Sequence, residues 1–283
     1  LGPHPDRLGD WMYHWADNAP ERIFLAERNR AGEWESFSYS KALDLVERIA
    51  QSLLDRGMNA DTPLLILSGN SVRHALLTLG AMHVGVPVVP VSPAYSLMSQ
   101  TYDKLRSIAS QIKPHMIYAE DSSSFAGAIE VLRSDKVEVV CAQGGKATPF
   151  DSLWDTTVSS TVRAHFDATG PDTVAKILFT SGSTGAPKGV INTQRMLCSN
   201  QKSLQQIWPF LADVPPVVVD WLPWHHTFGG NHNFNMILSN GGSLYIDEGK
   251  PRPGAMEPSI VMSPSPSVCG AVASGCTLNA PPS

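Results

Sequence analysis

The chain has 283 residues, 42% of them hydrophobic, which is enough to bury a sizeable core in one large domain or two modest ones and excludes a disordered chain. Its 21 Lys and Arg against 26 Asp and Glu give a net charge of −5 without a basic stripe. Nucleic acid and anionic membranes are therefore disfavoured, and a small-molecule partner is favoured. We expect no signal peptide and no membrane span, and the sparse cysteines indicate a reducing, cytoplasmic environment.

Hydrophobic periodicity predicts helices and strands in regular alternation. An amphipathic helix with Leu8, Trp11, Met12 and Trp15 on one face ends near Pro20. A long helix capped by Ser38 or Ser40 and ended by Gly57 follows two short strands. The predicted strands cover residues 23–27, 34–37, 64–67, 86–91, 116–119, 137–141, 175–179, 217–222 and 243–246, and further helices cover residues 72–84, 98–112, 125–132, 193–208 and 231–238.

This alternation predicts an α/β fold of βαβ units, with largely parallel sub-sheets and helices on their faces. Residues 142–171 are polar and rich in turn residues, so they are interpreted as a connection between two sub-sheets. Ligands of such sheets bind beyond the carboxyl ends of the strands.

One candidate binding loop lies at such a strand end, in residues 177–190. Three apolar residues lead into a run of hydroxyls, glycines and a lysine, a combination that suits a polyphosphate because glycine permits close approach while N–H groups, hydroxyls and the ammonium contact phosphate oxygens. A surface linker is the alternative, disfavoured because an apolar strand precedes the run. A Walker A loop is excluded, since Pro187 precedes Lys188 and Gly189 follows it. The candidate phosphate-binding residues are Thr180, Ser181, Gly182, Ser183, Thr184, Gly185 and Lys188.

A second candidate site, residues 220–235, combines histidines, aromatics and asparagines after a predicted strand. Such a set suits a pocket for a flat, partly polar ligand, although ordinary aromatic packing at a sheet edge is an alternative. Zinc is disfavoured, because the spacing of His225, His226 and His232 matches neither HExxH nor a zinc-finger pattern. We therefore predict no metal-ligating residues.

Both runs resemble motifs of the adenylate-forming superfamily, which includes acyl-CoA synthetases, peptide-synthetase adenylation domains and luciferases. Residues 180–185 followed by Pro187, Lys188 and Gly189 resemble its phosphate-binding signature. Residues 223–229 are similar to its Pro-x-x-His-x-x-Gly motif, with His226 in the place of the family histidine. Residues 192–197, 220–234 and 244–251 resemble feruloyl-CoA synthases in particular.

The resemblance implies the large N-terminal domain of acyl-CoA synthetases and a two-step reaction, in which a carboxylate reacts with ATP to release pyrophosphate and the acyl group then passes to CoA. It implies ATP, Mg²⁺ and CoA as cofactors or substrates, and a carboxylic acid partner. A hydroxycinnamate such as ferulate is the implied acid, with a benzoate or fatty acid as the alternative. Lys188 and Thr184 are the implied catalytic residues. The implied acid pocket consists of Trp224, His226, Phe228, Gly229 and Asn231.

The family's downstream Tyr-Gly-x-Thr-Glu motif is missing from the sequence. We therefore expect residues 1–254 to form part of an N-terminal AMP-binding domain, residues 255–283 to be an unstructured or out-of-frame tail, and the C-terminal small domain to be absent. The chain is then a truncated and inactive form of the ligase. The alternative is a non-catalytic remnant that binds a nucleotide or an aryl acid.

Overall fold

Two β-sheets with flanking helices organise the part of the chain that the computed structural model describes, residues 1–181 and 185–247. The larger sheet has the order β7-β6-β5-β3-β4-β8-β9, and the smaller has the order β10-β11-β1-β2. The strands are β1 Ile23–Arg28, β2 Trp34–Ser38, β3 Leu64–Leu67, β4 Val88–Pro90, β5 Met116–Asp121, β6 Glu138–Gln143, β7 Thr148–Pro149, β8 Val174–Ser181, β9 Pro187–Thr193, β10 Val217–Asp220 and β11 Ser243–Ile246.

Neighbouring strands are parallel except at β1–β2 and β8–β9, which are antiparallel. The helices are α1 Leu8–Asn18, α2 Tyr39–Asp55, α3 Val72–His83, α4 Ala94–Leu97, α5 Asp103–Ile112, α6 Ala126–Leu132, α7 Asp151–Trp154, α8 Ser160–Ala168, α9 Gln194–Ile207, α10 Phe210–Asp213 and α11 Phe234–Ser239. A π-helix, Phe228–Asn233, leads directly into α11. Within the described residues, none of these helices has the length and apolar character needed to cross a membrane.

Local sequence explains several helix boundaries. The side chains of Ser38, Ser71 and Thr193 accept hydrogen bonds from backbone N–H groups in the first turns of α2, α3 and α9. Each cap supplies a partner for an N–H group that has none within its helix. Gly57 follows the end of α2 with φ of +71°, a conformation that glycine adopts without a Cβ clash.

The central strand β3 of the larger sheet is buried on both faces. Along β3, Leu64 and Ile66 belong to one hydrophobic core, and Leu65 and Leu67 belong to another. The first core also contains Phe24 of β1 and residues of β10 and β11, so it joins the two sheets. The second core lies on the opposite face, where α5 and α6 contribute apolar side chains. A continuous apolar strand is therefore what this position in the fold requires.

The structure confirms the α/β class and most of the predicted elements. Three details differ. Residues 142–171 do not connect two sub-sheets, because β6, β7 and β8 all belong to the larger sheet; the segment contains β7, α7 and α8 and buries Leu153 and Phe166 in the fold. The helix predicted over 98–112 begins only at Asp103, as α5, because Tyr102 with φ of +57° lies just before it; the separate helix α4 ends at Leu97. Strand β9 has no counterpart among the predicted elements. The expected tail, 255–283, lies outside the described residues.

Candidate functional site

The predicted phosphate-binding loop is the turn of an antiparallel hairpin formed by β8 and β9. Thr180 pairs with Lys188, and Ser181 with Pro187. Gly182, Ser183 and Thr184 lie outside the described residues. Because β8 and β9 are antiparallel neighbours, the residues between them connect two paired strands, whereas a βα loop would lead into a helix.

The described residues of this turn are exposed and have few contacts. Thr180 and Lys188 are both exposed, and Lys188 forms no ion pair within the described part of the chain. Gly185 has φ of +83°, and a Cβ at this position would meet no atom within 4 Å. From α5, Gln111 Nε2 donates to the Pro187 carbonyl oxygen at 3.2 Å and so supports the base of the turn. A hydroxyl and an ammonium group are thus available to an anionic ligand.

The second candidate site begins where β10 ends at Asp220. The buried Asp220 carboxylate accepts a hydrogen bond from the Leu222 backbone N–H at 2.8 Å and another from Asn233 Nδ2 at 2.8 Å. Asn70 fixes the following residues from the other side: its Nδ2 donates to the Leu222 carbonyl oxygen at 2.9 Å, and its Oδ1 accepts from the Trp224 N–H at 3.1 Å. Beyond the end of β10, the path of residues 221–224 is therefore set by side chains, without strand pairing.

The π-helix lies directly against this path. A Cβ on Gly229 would come within 2.4 Å of the Leu222 carbonyl oxygen, and a Cβ on Gly230 within 2.3 Å of the Trp224 carbonyl oxygen. No larger residue fits at either position without a backbone shift. Gly230 N–H also donates to the His226 carbonyl oxygen at 2.9 Å, which ties the π-helix to the predicted family histidine.

The structure separates the predicted acid-pocket residues into a buried and an exposed group. Trp224, Gly229 and Asn231 are buried, and the Trp224 ring packs edge-on against His74 and Phe234 at centroid distances of 5.1 and 5.0 Å. His226 is exposed, and Phe228 is 55% exposed. A pocket role for all five residues stays a prediction.

The histidines of this segment have different environments. His225 and His226 have ring centroids 4.3 Å apart. Partial burial, with a smaller contribution from His226, lowers the pKa of His225 to about 4. The His232 ring lies 4.9 Å from that of Phe228 and 5.9 Å from that of Trp208. Across residues 1–181 and 185–247, no group of three or more His, Cys, Asp or Glu side chains is arranged to hold a metal ion.

Two further residues connect the two candidate sites, and sequence analysis did not identify either role. Lys176 of β8 is buried, and its Nζ donates to the Gly230 carbonyl oxygen at 2.9 Å. Its cross-strand partner Asn192 accepts a hydrogen bond from Asn231 Nδ2 at 2.9 Å. Burial lowers the pKa of Lys176 to about 8. The available signal was a lysine inside an otherwise apolar strand, since such a residue is rarely buried without a specific partner.

Comparison with known proteins identifies the family. The sequence matches the family described as AMP-binding enzyme over residues 12–266. The chain belongs to this family of adenylate-forming ligases. Its relatives include an uncharacterized acyl–CoA ligase, YtcI of Bacillus subtilis, which is 25% identical over 237 residues, or 82% of this chain and 42% of YtcI. CymA of Salinispora arenicola, a probable non-canonical nonribosomal peptide synthetase, is 26% identical over 208 residues, or 74% of this chain and 2% of CymA.

Solved structures show the same fold. The fatty acid AMP ligase from Legionella pneumophila superposes with a TM-score of 0.66 at 19% identity, over 85% of this chain and 39% of that enzyme. The adenylation domain of a keto acid-selecting nonribosomal peptide synthetase module gives a TM-score of 0.70 at 17% identity, over 86% of this chain and 41% of that one. The chain thus spans less than half the length of each of these relatives.

Proposed function

We propose that the protein is an ATP-dependent acid–CoA ligase that acts on a hydroxycinnamate such as ferulate. The observation that carries the proposal is the hairpin turn, which presents Thr180, Gly185 and Lys188 outward and is hydrogen-bonded at its base to the π-helix that follows His226. A phosphate-binding turn held beside a segment that carries an exposed histidine and an exposed aromatic ring suits a reaction between ATP and an organic acid.

In the first step, the acid's carboxylate attacks the α-phosphorus of ATP, and the bond to the pyrophosphate leaving group breaks. Negative charge develops on the leaving phosphates, so cationic and hydrogen-bonding groups at the turn lower the barrier. We assign this role to Lys188 and Thr184, with Thr180, Ser181, Gly182, Ser183 and Gly185 as further phosphate contacts. Bound Mg²⁺ would bridge phosphate oxygens and neutralise part of their charge with few protein ligands.

In the second step, the CoA thiol attacks the acyl carbonyl carbon, and AMP leaves. This step distinguishes a CoA ligase from an enzyme that stops at the adenylate or transfers the acyl group to a carrier. Relatives of both kinds match the chain, because their names include acyl–CoA ligases and peptide synthetases. CoA as the acceptor is therefore the part of the proposal for which a direct assay matters most.

The exposed rings around His232 support an aromatic acid. The His232 ring centroid lies 4.9 Å from that of Phe228 and 5.9 Å from that of Trp208, and these rings offer flat apolar area, with Phe228 two residues after the exposed His226 in the chain. By contrast, Trp224 and Asn231 are already engaged in packing and in the bond to Asn192. Support for ferulate over a fatty acid therefore comes from the exposed rings, and a benzoate fits the same surface.

Acid-dependent exchange of labelled pyrophosphate into ATP tests the proposal. The 283-residue chain and the longest protein encoded by its gene are assayed side by side with ferulate, benzoate and a medium-chain fatty acid, followed by assay of CoA thioester. We expect ferulate-dependent exchange and thioester formation by the longer protein and no turnover by the 283-residue chain. An exchange rate that is the same with and without added acid would contradict the ligase assignment. Faster exchange with the fatty acid than with ferulate would contradict the assignment of a hydroxycinnamate as substrate.

A matched pair of variants of the longer protein assigns the role of the turn. Lys188→Ala should lower the exchange rate by about 10²-fold or more, because a charge that stabilises the leaving phosphates is lost. Lys146→Ala removes an exposed lysine elsewhere and should leave the rate within about twofold. Equal rates in the two variants would remove Lys188 from the catalytic residues.

A further inference from the structure

Two hydrogen bonds attach the base of the β8–β9 hairpin to neighbouring residues of the π-helix. Lys176 and Asn192 face each other across the hairpin. Lys176 Nζ donates to the Gly230 carbonyl oxygen at 2.9 Å, and Asn192 Oδ1 accepts from Asn231 Nδ2 at 2.9 Å. A cross-strand pair of one element thus holds two consecutive residues of another. We call these four residues the hairpin clamp.

The hairpin clamp lies close to both candidate sites, along strand β8 on one side and through one hydrogen bond on the other. On one side, Lys176 lies four residues before Thr180, a distance of roughly 13 Å along an extended strand. On the other side, Gly230 N–H donates to the His226 carbonyl oxygen at 2.9 Å. One hydrogen bond therefore separates the clamp from His226, and four strand residues separate it from the phosphate-binding turn.

Burial of the Lys176 ammonium group carries a desolvation cost. Lys176 is 3% exposed and forms no ion pair with any described residue. Its ammonium also lies 5.9 Å from the Phe234 ring centroid, a weak cation–π distance. An apolar side chain would fill this site without the desolvation of a charge. A lysine here is understandable if its reach and donor capacity are needed to hold the Gly230 carbonyl.

A small cavity lies beside the ammonium, and two of its polar groups lack a partner within the described residues. A cavity of about 10 Å³ lies beside Lys176, and Thr78 and Trp224 contribute to its lining. Thr78 Oγ1 and Trp224 Nε1 are buried and have no hydrogen-bond partner among the described residues. This volume is close to the smallest that holds one water molecule.

We propose that Lys176 and Asn192 are positioning residues, which hold the π-helix in a fixed place relative to the β8–β9 hairpin so that His226 keeps its position relative to the phosphate-binding turn. The inference rests on the proposed function, since it takes ATP to bind at the turn and the acid to bind near His226. It predicts that ATP binding at the turn restricts the motion of the π-helix through the clamp.

Hydrogen–deuterium exchange of the 283-residue chain, with and without ATP and Mg²⁺, tests the inference. In the wild type, we expect ATP to slow exchange both in β9, residues 187–193, and in residues 226–233. In Lys176→Met and in Asn192→Leu, ATP should still slow exchange in β9, but its effect on residues 226–233 should fall by roughly fivefold or more. A merely structural role would alter both regions together, with or without ATP.

Two control variants sharpen the result. Asn192→Asp keeps an oxygen that accepts from Asn231 Nδ2, so it should restore the effect of ATP on residues 226–233 that Asn192→Leu removes. Lys136→Met changes an exposed lysine and should behave like the wild type. If Lys176→Met does not fold, the Leu and Asp variants of the half-buried Asn192 decide the question. Transmission of the ATP effect in Asn192→Leu as in the wild type would overturn the inference.

The same data separate the clamp from the proposed function. If ATP leaves β9 exchange unchanged in the wild type, ATP binding at the turn fails for this chain. The clamp is then judged on exchange without ligand, which should be faster at residues 226–233 in Lys176→Met and Asn192→Leu but not in Asn192→Asp. Unchanged ligand-free exchange in all variants would overturn the clamp.

Discussion

The predicted phosphate-binding turn and the segment from Asp220 to Asn235 look alike in sequence, since each is dense in glycine and polar residues, yet the fold uses them differently. At the turn, Thr180 and Lys188 are exposed, and no atom of the described residues lies within 4 Å of the position that a Cβ on Gly185 would take. In the segment, Asp220 and the three asparagines are buried, and Asn231 is hydrogen-bonded to Asn192 of β9, whereas His226 and Thr227 are exposed. A polar residue is a better candidate for ligand binding when its side chain is neither packed in the core nor hydrogen-bonded to another part of the protein.

The asparagines of the segment illustrate the second case. Asn233 donates to Asp220, and Asn231 donates to Asn192. Gln201 of α9 adds a further bond, from its Nε2 to the Asn231 carbonyl oxygen at 2.8 Å. These contacts join β9, α9, β10 and the π-helix. The asparagines and glutamine in these contacts therefore help to hold the two sheets together.

The largest expected effect on stability comes from filling the closest backbone approach in the segment. Gly230→Ala places a methyl group 2.3 Å from the Trp224 carbonyl oxygen, so the π-helix must move. We expect a loss of about 3 kcal/mol in the free energy of unfolding, measured by urea titration. Gly170→Ala is the matched control, because its Cβ would meet no atom within 4 Å and its φ is not positive; its effect should stay within about 0.5 kcal/mol. Equal effects of the two changes would mean that the segment is loosely packed.

An intermediate effect is expected from acid. His74 lies against Trp224, and burial lowers its pKa to about 4 from 6.5, with further lowering by Lys176 and His225. The folded protein therefore holds this histidine neutral at a pH where the unfolded chain binds a proton. Its contribution to stability is present above pH 6.5 and is lost as the pH falls towards about 4.

Urea titrations between pH 7 and pH 5 measure this loss, which amounts to at most about 1.4 kcal/mol per pH unit and to about 2 kcal/mol over this range for one histidine. His74→Gln should flatten the profile by that amount. A slope remains in the variant, because burial also lowers the pKa of His83 to about 3 and that of His225 to about 4. An unchanged profile in His74→Gln would show that His74 is accessible to protons in the folded state.

Sequence reasoning succeeded where a short segment determines its own structure. The apolar run of β3, the Ser38 cap of α2 and the ending of α2 before Gly57 depend on neighbouring residues, and each agrees with the structure. It failed where distant contacts decide. Strand β9 is largely exposed, and its apolar residues Val190 and Ile191 are adjacent and do not alternate with polar ones, so no strand pattern marks it. Pairing with β8 makes it a strand.

The residues of the candidate sites also fall into those that sequence alone could suggest and those whose role depends on distant contacts. The turn could be identified from sequence because glycines, hydroxyls and a lysine there serve no visible packing purpose. The roles of Lys176, Asn192 and Asn70 could not, because each depends on a partner 39 or more residues away in the chain. A lysine in an apolar strand signals that some partner exists, but only the fold shows that it is a carbonyl group of the π-helix.

The smallest expected effect on stability is at the turn. Lys188→Ala removes an exposed side chain that forms no ion pair within the described residues, so the free energy of unfolding should change by less than about 0.5 kcal/mol. Urea titration of this variant beside Gly230→Ala tests the contrast directly. A loss of about 2 kcal/mol or more in Lys188→Ala would mean that the lysine supports the hairpin. An unchanged stability would leave the side chain free for phosphate, because a residue that the fold does not need can be removed at no structural cost.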